Sequence, residues 1–206
     1  VAKFNIDDEL RAVYGNAVEI KALAGDSIPE IAATQVTKGF KRTPLTFPKN
    51  PIYRMEEGAM LIGSPSTVIL TSNEVYPDEY IFCGTFEMTK VHPIEEGNGF
   101  CGLLFASTTI DDSLVGYVFS YDSSGKVALL KLNGGNMEVV KLNQDGLDAA
   151  KSVVLSVAVL KEVLECRVNG KMVFQINSDM TGIKARLGFQ ASAVNARILE
   201  FYTETR

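Results

Sequence analysis

Residues 75–88 read VYPDEYIFCGTFEM, and this stretch decides the fold that the sequence predicts. Its large apolar side chains recur with a period of two residues, the spacing at which side chains share one face of a β-strand. They are Tyr80, Phe82, Phe86 and Met88. The run follows a turn-forming Pro-Asp-Glu segment at 77–79. We therefore expect a core strand with these four side chains on its inner face and Cys83 on the other.

Short apolar runs continue to the end of the chain, separated by turn sequences such as DSSG, NGGN, NQDG and VNGK. Runs that recur at roughly 8–12-residue intervals with turn signals between them are typical of sandwiches. We predict an all-β fold, a two-sheet antiparallel jelly-roll sandwich with a short N-terminal helix.

Residues 1–206 are expected to form a single domain. The first part, 1–55, would hold a helix and an extended lead-in segment, and 56–206 would form the sandwich. The helix is placed at 7–14, where Leu10, Val13 and Tyr14 have helical spacing behind the N-cap candidates Asn5 and Asp7.

The stretch LECRVNGKMVFQI, residues 164–176, predicts a hairpin with two possible registers. A two-residue Asn169-Gly170 turn would set Cys166 opposite Val173. A three-residue loop would instead pair Cys166 with Met172. We favour the three-residue loop because it keeps the apolar side chains on one face.

Composition and charge exclude several classes of function. The 206 residues carry a net charge of −5 and a pI of about 5.0, so the chain is not built to coat nucleic acid. No apolar run approaches the ~20 residues that a membrane-spanning helix needs. The chain begins with Val rather than Met, so either a signal peptide has been removed or the chain is an excised piece.

The sequence offers no catalytic constellation, and we expect a protein that is not an enzyme. His92 is the single histidine and lies in a loop-like context before a proline. Nucleophilic catalysis needs a base beside the nucleophile, and glycoside hydrolysis needs two facing carboxyl groups. The acidic residues instead fall in pairs at turns. We expect no cofactor, with calcium at Asp111 and Asp112 as a weak alternative.

Five cations lie in a short proline-bearing segment: Lys38, Lys41, Arg42, Lys49 and Arg54. A local concentration of positive charge in an acidic chain attracts anionic partners. These residues are therefore candidates for binding a glycosaminoglycan or another acidic partner. The alternative is a solvated loop whose cations balance nearby acids.

The three cysteines match no zinc-site spacing. If the strands holding Cys83 and Cys101 formed a hairpin around His92, the two thiols would face each other. In an oxidising compartment they would then be candidates for a cross-strand disulfide.

The order of several segments resembles the thrombospondin N-terminal-like domain, a laminin-G-type, concanavalin A-like module of thrombospondins and of non-fibrillar and fibril-associated collagens. Pro51, Tyr53 and Arg54 match a motif of that family, and VYPDEYIFCGTFEM matches its acidic entry to a strand. In this chain Glu87 stands where the family usually has Arg. The resemblance implies a secreted, extracellular, non-enzymatic module that binds matrix proteins or sulfated glycans and serves cell adhesion. Any oligomerisation is expected to involve regions outside this chain.

A second resemblance leads to a different class. The hairpin and the later ARLGFQ segment also fit bacterial secreted concanavalin A-like proteins, which are glycan-binding modules or glycoside-processing enzymes. A glycan-binding module needs an exposed aromatic ring on a concave face, and Tyr117 and Tyr121 are the candidates.

Overall fold

A computed structural model describes residues 40–43, 45–48, 53–77, 79–93, 98–110, 113–134, 136–143, 152–177 and 185–205. The helix predicted at 7–14 and most of the lead-in segment lie outside these residues. None of the described residues belongs to a helix that could cross a membrane.

The described chain is built from antiparallel β-strands, which confirms the predicted all-β class. The twelve strands are β1 Lys41–Thr43, β2 Tyr53–Glu56, β3 Ala59–Thr71, β4 Tyr80–Val91, β5 Phe100–Ile110, β6 Ser113–Asp122, β7 Val127–Asn133, β8 Asn136–Asn143, β9 Ser152–Val159, β10 Val163–Val168, β11 Lys171–Asn177 and β12 Arg186–Thr205.

The last strand, β12, joins the two sheets of the sandwich. Its first half pairs with β5, which continues through β6, β7 and β8. Its second half pairs with β4, which continues through β9, β10 and β11. We call these the β5–β8 sheet and the β4–β11 sheet. The strand changes partner at a bulge between Ser192 and Val194, where Ala193 has a φ of 52°.

Strand β3 accompanies β12 through this change of sheet. It runs without a break across the GSPS segment that separates its two apolar runs in the sequence. The bulge in β12 interrupts the pairing between Ser64 and Thr67, and Pro65 lies in that interval. A proline fits here because it has no backbone N–H to donate to the ladder.

The main core lies between the two sheets. As predicted, Tyr80, Phe82 and Phe86 point into it, and Met88 packs against its border. Phe189 of β12 is the centre of an aromatic cluster, with ring centroids 5.4–5.9 Å from those of four other phenylalanines: Phe47, Phe82, Phe86 and Phe201. The backbone N–H of Ala106 donates to the Tyr80 hydroxyl at 2.9 Å, which satisfies that buried polar group.

A second apolar cluster lies on the other face of the β5–β8 sheet. Its buried members are Phe100, Leu104, Val118, Ala128, Leu130, Leu132, Val139 and Leu142. Gln190 on β12 and Met137 on β8 also meet on this face, with Nε2 and Sδ 3.4 Å apart. In a flat sheet these strands would be about 19 Å apart, because four strand spacings separate them. The sheet is therefore strongly curved, and side chains of β12 and β8 meet on its concave face.

The hairpin of β10 and β11 corrects the predicted register. Asn169 and Gly170 form the two-residue turn, both with positive φ. A bulge next to Cys166 then sets this residue opposite Phe174 rather than Met172 or Val173. The favoured three-residue loop was wrong, although the reason for favouring it holds: the bulge brings Leu164, Cys166 and Phe174 onto the core face.

Candidate functional site

The outer face of the β4–β11 sheet carries the polar side chains that alternate with the core residues. In β12, β4, β9 and β10 the residues Tyr202, Cys83, Ser156 and Arg167 are successive register partners and form one row. The row spans three strand spacings, about 14 Å. The next row holds Glu204, Ile81, Ala158, Glu165 and Gln175.

Small side chains occupy the middle of these rows and large ones stand on both sides. Ser156 and Ala158 of β9 are half-buried and form the floor together with Cys83 and Ile81. We call this region the outer trough. One wall consists of Arg42, Tyr202 and Glu200, and the other of Glu165, Arg167 and Gln175.

The first wall is held together by a stacked arginine. The guanidinium carbon of Arg42 lies 4.1 Å from the centroid of the Tyr202 ring, and one of its nitrogens lies 3.8 Å from Glu200. The Tyr202 hydroxyl also hydrogen-bonds with the Cys83 thiol. Burial and this hydrogen bond raise the pKa of Tyr202 to about 12, so the phenol stays protonated at neutral pH. Because the Arg42 side chain is 64% exposed, its remaining N–H donors are open to a ligand.

The second wall is a network of three planar polar groups. Arg167 lies 3.0 Å from Glu165, and the Gln175 amide donates to the other oxygen of the same carboxylate at 3.4 Å. Arg167 also donates to the carbonyl of Gly170 at 3.2 Å. These bonds fix the orientation of the wall before any ligand arrives, which lowers the entropic cost of binding.

The structure separates the described members of the predicted basic cluster. Arg42 is opposite Glu204 near the end of β12, whereas Arg54 lies in the β2–β3–β12 row that contains Arg197. The two arginines are about 20 Å apart along the sheet, given the rise per residue of a strand. Lys41 precedes Arg42 on β1, and Lys38 and Lys49 lie outside the described residues.

Each described arginine of this face is matched by a carboxylate. Arg54 lies 3.5 Å from Glu56, and Arg197 lies 3.6 Å from Glu87 and 3.8 Å from Glu57. Arg42 and Arg167 are likewise paired with Glu200 and Glu165. Each of these four described arginines on the outer face therefore has a glutamate that balances its charge. Glu87, which replaces the arginine of the resembled family, has its partner in Arg197.

The hairpin that underlay the predicted disulfide is absent, because β12 lies between β4 and β5. Cys83 points to the outer trough, while Cys101 points into the main core. The prediction of a Cys83–Cys101 bridge was therefore wrong, and all three cysteines are free and buried. Burial raises the pKa of Cys101 to about 12 and also raises those of Cys83 and Cys166. They are thiols rather than thiolates at neutral pH.

Tyr117 and Tyr121 do not offer an aromatic platform on a concave face. Tyr121 is buried in the main core, and Tyr117 packs against that core with its ring stacked on Phe105 at 5.9 Å. The exposed-aromatic expectation was wrong for both, because the alternation of β6 turns its odd-numbered side chains inward.

Metal binding has no support among the described residues, where no group of three metal-ligating side chains occurs. Asp111 and Asp112 lie outside them, so calcium binding there stays a prediction. The His92 ring donates a hydrogen bond from Nε2 to the side-chain oxygen of Asn195 at 2.9 Å. The buried Asp122 accepts bonds from the backbone of Ser124 and Lys126, which close its own turn.

The sequence interpretation named Arg42 but missed its partners and the opposite wall. Glu165 and Arg167 alternate with Leu164 and Cys166, and this alternation alone indicates that they face outward. Nothing local to residue 42 points to Tyr202, which is 160 positions away in the chain.

Comparison with known proteins shows the fold. No protein-family model matches the sequence, and no curated protein matches it. Among solved structures, the carbohydrate-binding module CBM66 from Bacillus subtilis superposes with a TM-score of 0.62 and 14% identity, over 81% of this chain and 96% of that one. The Bacillus licheniformis β-glucanase gives 0.55 and 12% identity over 81% and 92%. The mannose-bound exoplasmic/lumenal domain of VIP36 gives 0.55 and 10% over 78% and 81%.

These likenesses show a concanavalin A-like jelly-roll sandwich fold, in agreement with the predicted fold class. At identities of 10–14% they establish the architecture and nothing finer.

Proposed function

We propose that the chain is a non-catalytic module that recognises glycans outside the cell. The observation that carries this proposal is the matched charge of the outer face, where each described arginine lies within 3.0–3.8 Å of a glutamate. Such a face offers many fixed hydrogen-bond donors and acceptors but does not generate a strong electrostatic field. This chemistry suits polyhydroxylated ligands better than polyanions.

The fold likenesses support the same class of function. The neighbours include a carbohydrate-binding module and the carbohydrate recognition domain of Emp46p, and the VIP36 domain is named as exoplasmic or lumenal. Membership in the thrombospondin N-terminal-like family, with matrix proteins as further partners, is a finer proposal that rests on the sequence motifs alone.

The proposal of a non-catalytic role has support in the way the carboxylates are held. Glu57 and Glu87 share Arg197, and Glu165 is bound to Arg167. Each of these carboxylates is held by an arginine, whereas glycoside hydrolysis needs a pair of carboxyl groups that flank the scissile bond. Incubation with β-glucan should release no reducing ends; their release would make the chain an enzyme.

A glycan array with neutral and sulfated members tests the function itself. We expect binding to neutral oligosaccharides that persists from low to high salt. Retention on a heparin column that falls steeply with salt would favour the glycosaminoglycan alternative instead. An array on which no glycan is bound would refute glycan recognition altogether.

A further inference from the structure

We propose that the outer trough is the binding site and that it holds a neutral oligosaccharide lying across the strands. This assignment rests on the proposed function. It adds the site, the class of ligand and the direction in which the oligosaccharide lies relative to the strands. It places Arg42 against one end of the ligand and Gln175 with Glu165 against the other.

The spacing of the two walls sets the direction of the ligand. Tyr202 of one wall and Arg167 of the other lie on β12 and β10, about 14 Å apart, and the floor between them includes Ser156 and Ala158. A ligand lying along the strands would touch only one wall. One that crosses the strands reaches both, with the Ser156 hydroxyl beneath it.

The polar groups of the walls determine the chemistry of the ligand. Gln175 and Arg42 supply N–H donors, and the Glu165 carboxylate and the Gln175 carbonyl supply acceptors. Vicinal hydroxyls donate and accept at once, so they can satisfy both kinds of group. Two arginines of the trough are already paired with Glu200 and Glu165, and Glu204 adds a further negative charge, so a sulfate or carboxylate meets no net positive charge there.

Two exposed arginines provide a matched pair of variants. Arg42 and Arg54 are both on short strands, and each is ion-paired to one glutamate at 3.8 and 3.5 Å. Arg42 belongs to the trough, whereas Arg54 is about 20 Å away on the edge strand β2. Both were candidates for binding a sulfated glycan, so Arg42→Ala and Arg54→Ala separate the two ligand classes.

Isothermal titration with mannotriose, laminaritetraose, cellotetraose and a heparin tetrasaccharide tests the assignment. We expect the wild type to bind at least one neutral probe, and Arg42→Ala and Gln175→Ala each to weaken this binding about tenfold. Arg54→Ala should keep the wild-type affinity. Thermal unfolding of each variant verifies that these exposed substitutions leave the fold intact.

The outcomes that overturn the assignment differ from those that overturn the function. If the wild type binds a neutral probe and all three variants bind it equally well, glycan recognition stands and the trough is not its site. If Arg42→Ala and Arg54→Ala both weaken binding of the heparin probe and none of the neutral probes binds, the ligand is sulfated. If the wild type binds none of the four probes, the proposed function and the trough both fail.

Discussion

At the scale of single residues, Gln190 stands out because it brings an amide into an apolar cluster. Its side chain is fully buried, its Nε2 donates to the sulfur of Met137 at 3.4 Å, and its Oε1 has no hydrogen-bond partner among the described residues. A buried carbonyl without a partner costs free energy that an apolar side chain of the same size does not.

Gln190→Leu should therefore stabilise the protein. We expect a gain of about 1 kcal/mol, which raises the melting temperature by roughly 2–4 °C for a domain of this size. Differential scanning calorimetry measures the shift. Gln175→Leu, at an amide that is bonded to Glu165, serves as the control and should not raise the melting temperature. A lower melting temperature for Gln190→Leu would mean that the amide is satisfied by a group such as a bound water.

At the scale of strands and sheets, three glycines allow the β5–β8 sheet to curve, and they lie on the face that carries the second apolar cluster. A β-carbon at Gly188 would overlap the carbonyl oxygen of Leu70, and one at Gly102 would overlap that of Phe119. One at Gly116 would lie 2.8 Å from the β-carbon of Ser107. Adjacent strands can approach this closely only where no side chain intervenes.

Gly188→Ala and Gly102→Ala should each destabilise the protein by about 2–4 kcal/mol, because backbone rather than a flexible side chain must move. Chemical denaturation measures the loss. The control is Gly84→Ala on the core face of β4, where the nearest atoms are side-chain carbons of Phe86 and Leu103 at 3.0–3.3 Å. We expect a smaller loss there; equal losses at all three positions would show that curvature is not the cause.

The strands also show which features the sequence could predict and which it could not. Alternation predicted the inner face of β4 correctly, because the period of a strand is a local property. The pairing of Cys83 with Tyr202 and of Cys101 with Ala191 is not local, so the hairpin drawn between the two cysteines was wrong. For the trough, the sequence could place Glu165 and Arg167 on an outer face, but only the sheet order brings them opposite Arg42.

At the scale of the whole molecule, a polar clasp ties the lead-in segment to the sandwich. The Glu74 carboxylate accepts bonds from the backbone N–H and the hydroxyl of Thr46. Arg186 donates to the carbonyls of Ser72 and Asn73 at 2.6 Å. Burial alone would raise the pKa of Glu74, but the bonds from Thr46 and the charge of Arg186 hold it below the ordinary value of 4.5.

The clasp predicts a loss of stability in acid. A carboxyl group whose pKa is lowered by folding stabilises the native state above the unfolded pKa, here 4.5. This stabilisation is lost as the pH falls below 4.5 and through the folded pKa. Urea unfolding of the wild type from pH 7 to 3 should show the loss, and Glu74→Gln should flatten that part of the profile. A variant profile that remains parallel to the wild type would assign the acid sensitivity to other carboxyl groups.

The central position of β12 has a consequence for how the protein is made. This strand is the last of the twelve in sequence, yet it pairs with β3, β4 and β5 and completes both sheets. While the chain emerges from the ribosome, the edges of β4 and β5 that pair with β12 lack their partner until residues 186–205 have been synthesised. Unpaired edges of this kind invite association with other chains. The sandwich therefore cannot close during synthesis until its last strand has been made, and the risk of association is concentrated in that interval.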